Sequence, residues 1–192
     1  MHDKIPQDQM HIIDTQKIIL TDFPSSGYIL DIGGGGEGII GLMKPDQVIA
    51  IDCRREELEE APPGPLKIVM DATDLQFLDE SFSTVTSFFT FMFLKPENRE
   101  KVLQETYRVL QKNGHFLLWD VLIPPQGEHR EPLFVVPLQV NIGDSWIETA
   151  YGVGWATRSQ TPDEIEKLAQ NTGFTLKEKK KEDQTIFFDF LK

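Results

Sequence analysis

Apolar and polar positions along the chain change period from block to block, and the blocks predict alternating strands and helices. Residues 28–32 form a short, nearly unbroken apolar run that ends in a glycine cluster, and residues 48–51 form another after the Lys44-Pro45-Asp46 break. Both suit buried strands, with a short helix between them. Residues 54–61 make a charged helical turn that Pro62-Pro63-Gly64-Pro65 stops, and the chain resumes as a third strand over 66–70. A fourth strand is predicted at 85–89. Pro96 at a helix start, the apolar spacing of Val102, Leu103, Val109 and Leu110, and Gly114 as a stop predict a helix over 97–112. Strand five then covers 116–122.

The alternation breaks next. Residues 133–142 and 146–153 both have strand character and flank Gly143-Asp144, which predicts a β-hairpin inserted after strand five. Thr161-Pro162-Asp163-Glu164 has the pattern of a capping box, Ile165, Leu168 and Ala169 give an apolar face, and Gly173 closes that helix. Two final strands, 174–180 and 185–191, suit an antiparallel hairpin with a charged edge. The order implies an α/β fold: a doubly wound, mostly parallel, Rossmann-like sheet with helices on both faces, ending in an antiparallel hairpin.

With 192 residues the chain is expected to form a single domain, with residues 28–122 as one half and 123–157 as the insertion. Its 40% hydrophobic and 26% charged residues exclude a disordered or fibrous chain. A net charge of −12 argues against nucleic acid as a partner, because phosphate backbones are bound through Lys and Arg. Cys53 is the single cysteine, so no intramolecular disulfide can form, and a reducing, cytoplasmic location is expected. The amino terminus lacks the pattern of a signal peptide, and the longest apolar stretch, 82–94, is too short for a membrane span.

The candidate chemistry begins at Asp31-Ile32-Gly33-Gly34-Gly35-Gly36-Glu37-Gly38, a loop between a strand and a helix where open α/β sheets bind nucleotide-like ligands. Gly33, Gly35 and Gly38 also satisfy G-x-G-x-x-G, and Asp52 follows the next strand as a ribose-binding acid would. Asp31 separates the two cofactors this pattern allows. A pyrophosphate dinucleotide disfavours a negative charge beside the loop, whereas S-adenosylmethionine brings an ammonium group and a sulfonium.

Over residues 28–122 the chain resembles the class I S-adenosylmethionine-dependent methyltransferases. Leu30-Asp31-Ile32-Gly33-Gly34-Gly35 looks like their first motif, and Ala50-Ile51-Asp52-Cys53 looks like the end of their second strand. Asp71-Ala72-Thr73-Asp74 looks like the loop after strand three, and residues 109–115 are similar to the turn before strand five. The resemblance implies S-adenosylmethionine as cofactor, held by Asp31, Gly33, Gly34, Gly35, Asp52, Cys53, Asp71 and Ala72, with Ser87 or Phe88 at the end of strand four. Asp52 could instead be a surface acid, Asp71 a plain turn residue, and Ser87 and Phe88 core residues. The chain departs from the family at Glu37, where the third loop glycine usually stands, and at Ser83, where an acid is usual.

The expected reaction is methyl transfer to a small-molecule acceptor. The alternatives are a cofactor-binding module without turnover and a nicotinamide-dependent oxidoreductase, the latter opposed by the lack of any Tyr-x-x-x-Lys pair. Where an acceptor must lose a proton, Glu128, His129 and Tyr151 are the candidate bases, all in the insertion with Trp146 and Trp155. Those aromatics suit either an acceptor pocket or a homodimer contact. The four histidines have no ligand spacing along the chain, so no metal is expected.

Overall fold

The structure, a computed structural model, describes residues 6–192. Its main sheet has seven strands: β3 (Ile29–Ile32), β4 (Val48–Asp52), β5 (Leu66–Val69), β6 (Phe82–Phe88), β7 (Leu110–Val121), β10 (Thr175–Glu182) and β11 (Thr185–Leu191). Their order across the sheet is β10-β11-β7-β6-β3-β4-β5. The five strands from β5 to β7 run parallel, and β11 and β10 close the sheet antiparallel. This is the doubly wound Rossmann-like sheet with a terminal hairpin that the sequence predicts. All four residues of β3 are buried, as the central strand of such a sheet requires.

Side chains alternate across each strand, so neighbouring residues serve opposite faces. Leu30, Ile32, Ile51, Val85 and Phe116 face α3 (Pro96–Val109) and α4 (Pro162–Thr172), where Val102, Leu103, Ile165 and Ala169 complete one core. Ile29, Val48, Ala50 and Phe88 face the other side, covered by α1 (Ile39–Met43), α2 (Arg55–Glu60) and a second sheet. The capping box forms as predicted: Thr161 Oγ1 accepts from Glu164 N at 3.3 Å, and Glu164 Oε2 accepts from Thr161 N at 2.9 Å. Helix α3 ends at Val109, three residues before the predicted stop, because Leu110 already has the extended backbone of β7.

The second sheet contains the predicted insertion. β8 (Leu133–Ile142) and β9 (Ser145–Gly154) form the antiparallel hairpin over a turn at Gly143, whose φ is +60°. Two unpredicted strands join it. β1 (Met10–Ile12) and β2 (Gln16–Leu20) lie end to end along the free edge of β8, both parallel to it. Ile18, Leu20, Phe134, Val136, Leu138 and Val140 bury the inner side of this sheet against the α1 face. The amino-terminal segment thus stops β8 from being an open strand edge.

Candidate functional site

The site lies at the carboxyl ends of β3, β4 and β6, where open α/β sheets leave a crevice. Asp31 sits on β3 beside Thr86 of β6, on the face away from α3 and α4, and is only 2% exposed. Burial pushes its carboxyl up to about 7, against the opposing effect of the Thr86 hydroxyl, which donates to Oδ1 at 2.7 Å; the nearby Asp52 charge pushes it further up. Such a carboxyl is costly to ionise without a cation beside it.

The glycine loop is built by close backbone approaches. Gly33 N and Gly34 N donate to the Ile51 carbonyl at 2.8 and 3.0 Å, and Gly36 N donates to the Glu57 carbonyl of α2 at 2.8 Å. A Cβ on Gly34 would lie 2.6 Å from Asp31 Oδ2, and one on Gly35 would lie 2.5 Å from Glu57 Cβ and 3.1 Å from Asp52 Oδ2. These glycines therefore carry protein packing as well as leaving room for a ligand. Asp52 is half-buried, and its Oδ1 accepts from Arg54 N at 2.8 Å while Oδ2 faces the loop. The backbone after β6 folds back sharply: buried Phe89 has φ +51° and donates its N–H to the Trp119 carbonyl at 2.8 Å. That turn sets Thr90 against Gly33, where its hydroxyl donates to the Ile32 carbonyl at 3.0 Å.

The other expected residues divide. Asp71 is exposed, and its Oδ1 accepts from the Thr73 backbone and hydroxyl, each at 2.8 Å, so it builds an Asx turn beside half-buried Ala72. Met70 N donates to the Asp52 carbonyl at 2.9 Å, which holds this turn next to β4. Cys53 is exposed, and its thiol is pushed up by partial burial and by the Asp52 and Asp71 carboxylates, the reverse of an activated nucleophile. Ser87 is fully buried in register with Ile32, hence on the α3 and α4 face, and its hydroxyl has no partner among the described residues. Phe88 packs in the core with Phe89 and Trp119.

The three base candidates do not converge. Tyr151, on β9, reaches the glycine loop, where its hydroxyl donates to Glu37 Oε2 at 2.8 Å; the Thr149 hydroxyl donates to Oε1 of the same carboxylate. The Tyr151 ring packs on Phe89 and Phe93 with centroids 5.7 and 6.1 Å away. Burial and the Glu37 charge raise its phenol above the ordinary value, so Tyr151 is a hydrogen-bond donor and not a base at neutral pH. His129 lies instead against His11 and Trp155, and Glu128 is exposed on the same loop. Trp146 is exposed on the hairpin and Trp155 is buried, so the insertion's aromatics form no single pocket.

Glu37, a departure from the family pattern in the sequence, is thus the loop's link to the second sheet. Thr86 and Thr90 carry no sequence signal of their own. Although the histidines have no ligand spacing along the chain, β1 and the loop before β8 bring together His11, His129 and Glu131, which are far apart in sequence.

A strand-ordered sheet of this kind, with an acid before the glycine loop and another after the next strand, defines a Rossmann-like methyltransferase fold. Residues 30–118 match the family described as a methyltransferase domain. Similar solved structures include a Pyrococcus horikoshii protein (18% identity, 86% of this chain and 82% of that one, TM-score 0.64). A Mesorhizobium loti S-adenosylmethionine-dependent methyltransferase is also similar (13% identity, 88% and 94% covered, TM-score 0.63). A third is a Thermotoga maritima protein described as a "possible histamine N-methyltransferase" (18% identity, 88% and 83% covered, TM-score 0.64). No curated protein matches the chain. Residues 30–118 thus carry the likeness to a methyltransferase domain, the solved structures share its fold, and S-adenosylmethionine is the cofactor that such a domain implies.

Among the described residues no helix is long and apolar enough to cross a membrane.

Proposed function

We propose that the protein methylates a small-molecule acceptor, and that Asp31, the 33–35 loop, Asp52, Asp71 and Ala72 hold S-adenosylmethionine. The observation that carries this reading is the buried Asp31 carboxyl beside Asp52. Two acids in one crevice disfavour a pyrophosphate and favour a ligand with positive charge. In this assignment Asp31 faces the ammonium group, and Asp52 Oδ2, left free by the Arg54 contact, accepts from ribose hydroxyls. Asp71 and Ala72 flank the adenine.

When bound, the cofactor supplies an electrophilic methyl group on a sulfonium. The protein's share is then alignment and water exclusion, which together can supply on the order of 7–11 kcal/mol in ideal cases. Phe89, exposed Phe93 and the Tyr151 ring provide an apolar wall beside the glycine loop, and the Tyr151 and Thr149 hydroxyls with Glu37 provide its polar end. That mixture suits a small acceptor. The acidic surroundings, Glu37 and Glu57 together with Asp31, weigh against an anionic polymer.

The test is an acceptor screen that reads S-adenosylhomocysteine formation across small amines, phenols, thiols and carboxylates, with an oligonucleotide arm alongside. Turnover on a small acceptor that drops in Tyr151→Phe is the expected result. Turnover confined to the oligonucleotide arm overturns the small-molecule assignment.

A further inference from the structure

Away from the carboxylate crevice, the fold assembles three donor side chains from two segments. His11 is on β1, in register with Phe134, while His129 and Glu131 are on the loop that leads into β8. One ligand atom from each lies within 4.8 Å of the others. His129 Nδ1 is 3.6 Å from Glu131 Oε2. We propose that His11, His129 and Glu131 bind one divalent first-row transition-metal ion, zinc being the occupant this donor set favours.

Two imidazole nitrogens and one carboxylate oxygen form a borderline donor set, better suited to zinc than to the all-oxygen preference of magnesium or calcium. Tetrahedral zinc with bonds of about 2.1 Å holds neighbouring donor atoms roughly 3.4 Å apart. The His129 to Glu131 pair is already at that spacing, and rotation of the His129 side chain, 50% exposed, closes the remainder. Three protein ligands leave a fourth position open to water or another small ligand.

The supporting structure is rigid where it needs to be. Trp155 is buried, its indole N–H donates to the Pro124 carbonyl at 2.7 Å, and both imidazoles lie against its ring, at 4.6 Å for His11 and 4.8 Å for His129. Phe134 also stacks on His11, at 5.7 Å, and itself packs on Trp155 at 5.2 Å. The net charge of −12 raises the local concentration of cations. A bound ion would clip β1 to the insertion loop and so fix the amino-terminal segment on the second sheet. The site stands apart from the methyl-transfer reading.

The experiment strips the full chain with a chelator, removes the chelator and titrates zinc by calorimetry; cobalt is then added to read visible absorption and quenching of Trp155 emission. One ion per chain is expected, with a tetrahedral cobalt spectrum. His11→Asn and His129→Asn, each verified as folded by circular dichroism, should each weaken zinc binding on the order of 100-fold and remove the cobalt quenching. His115→Asn is the control, because His115 pairs with Asp189 on the terminal hairpin at 2.7 Å. It should bind as the parent does. No binding at 100-fold molar excess of zinc, or binding unchanged in the His11→Asn/His129→Asn double variant, overturns the proposal.

Discussion

The two faces of the main sheet are built from alternate residues of the same strands, yet they do opposite work. On the α3 and α4 face, Phe91, Phe116, Phe174, Phe188 and Phe190 are all at most 3% exposed, with Phe116 5.9 Å from Phe174 and 6.3 Å from Phe190. The charges buried on that face, Arg99 of α3 and Asp120 near the end of β7, face each other beyond the aromatic stack. One residue along β3 from Leu30 and Ile32, Asp31 is as deeply buried on the opposite face and carries a carboxyl there. The helix face supplies folding energy, whereas the crevice face holds an unfavourable burial that a cationic ligand relieves.

The largest break in this comparison is expected on the helix face. Phe116→Ala should destabilise the protein by about 3–5 kcal/mol, through lost burial and the cavity left behind, and denaturant unfolding measures it. Cofactor affinity of the folded fraction should not change.

Asp31→Asn should do the reverse at alkaline pH: stabilise the ligand-free protein by on the order of 2 kcal/mol while abolishing cofactor binding. The ceiling, for a carboxyl moved from 3.8 to about 7, is about 4 kcal/mol. The sign follows from proton binding. The folded state holds the Asp31 proton more tightly than the unfolded chain, so stability falls as pH rises from about 4 to about 7 and is flat above. Asp120, buried at the end of β7 and pushed up to about 6 by burial, adds a slope of the same sign. Thermal melts from pH 5 to pH 8 should therefore show a decline in the parent protein that Asp31→Asn reduces but does not erase.

A smaller effect is expected at the edge of the crevice. Asp52→Ala should weaken cofactor binding at least tenfold, about 1.4 kcal/mol, with little change in stability because Asp52 is only half-buried. Unchanged affinity in a folded variant would make Asp52 a structural acid. The smallest effect is expected from Tyr151→Phe, which removes the hydrogen bond to Glu37 and should cost about 1 kcal/mol in stability while lowering turnover more than cofactor affinity.

The same contrast explains what could be read from the chain. The helix face and the parallel strands follow from local patterns: the apolar run before Gly33, the Thr161 to Glu164 capping box and the Gly143-Asp144 turn each specify their element within a few residues. The positions of the two acids were legible too, because Asp31 stands just before the glycine loop and Asp52 ends the next strand. The pairing of β1 and β2 with β8 was not, since Gln16–Leu20 is short, carries Lys17 and finds its partner more than 100 residues away. For the same reason His11 gave no hint of His129. Glu37 stood out only as a departure, and its purpose depends on Thr149 and Tyr151, which the β9 register alone brings to it. Tyr151 lies apart from Glu128 and His129 because it is on β9 against the glycine loop, whereas they are on the loop that leads into β8.

The central claim is that Asp31 is a buried carboxyl kept for a cationic ligand, and proton-linked calorimetry tests it most directly. S-adenosylmethionine is titrated at pH 6.5, in two buffers of different ionisation enthalpy. At that pH an α-amino group, with an ordinary value of about 7.7–8.0, is already charged, while Asp31 at about 7 is still largely protonated. Binding should release a large fraction of one proton to the buffer, and NAD should give no binding heat. A titration with no proton released, or one in which NAD binds as tightly as S-adenosylmethionine, would contradict the account.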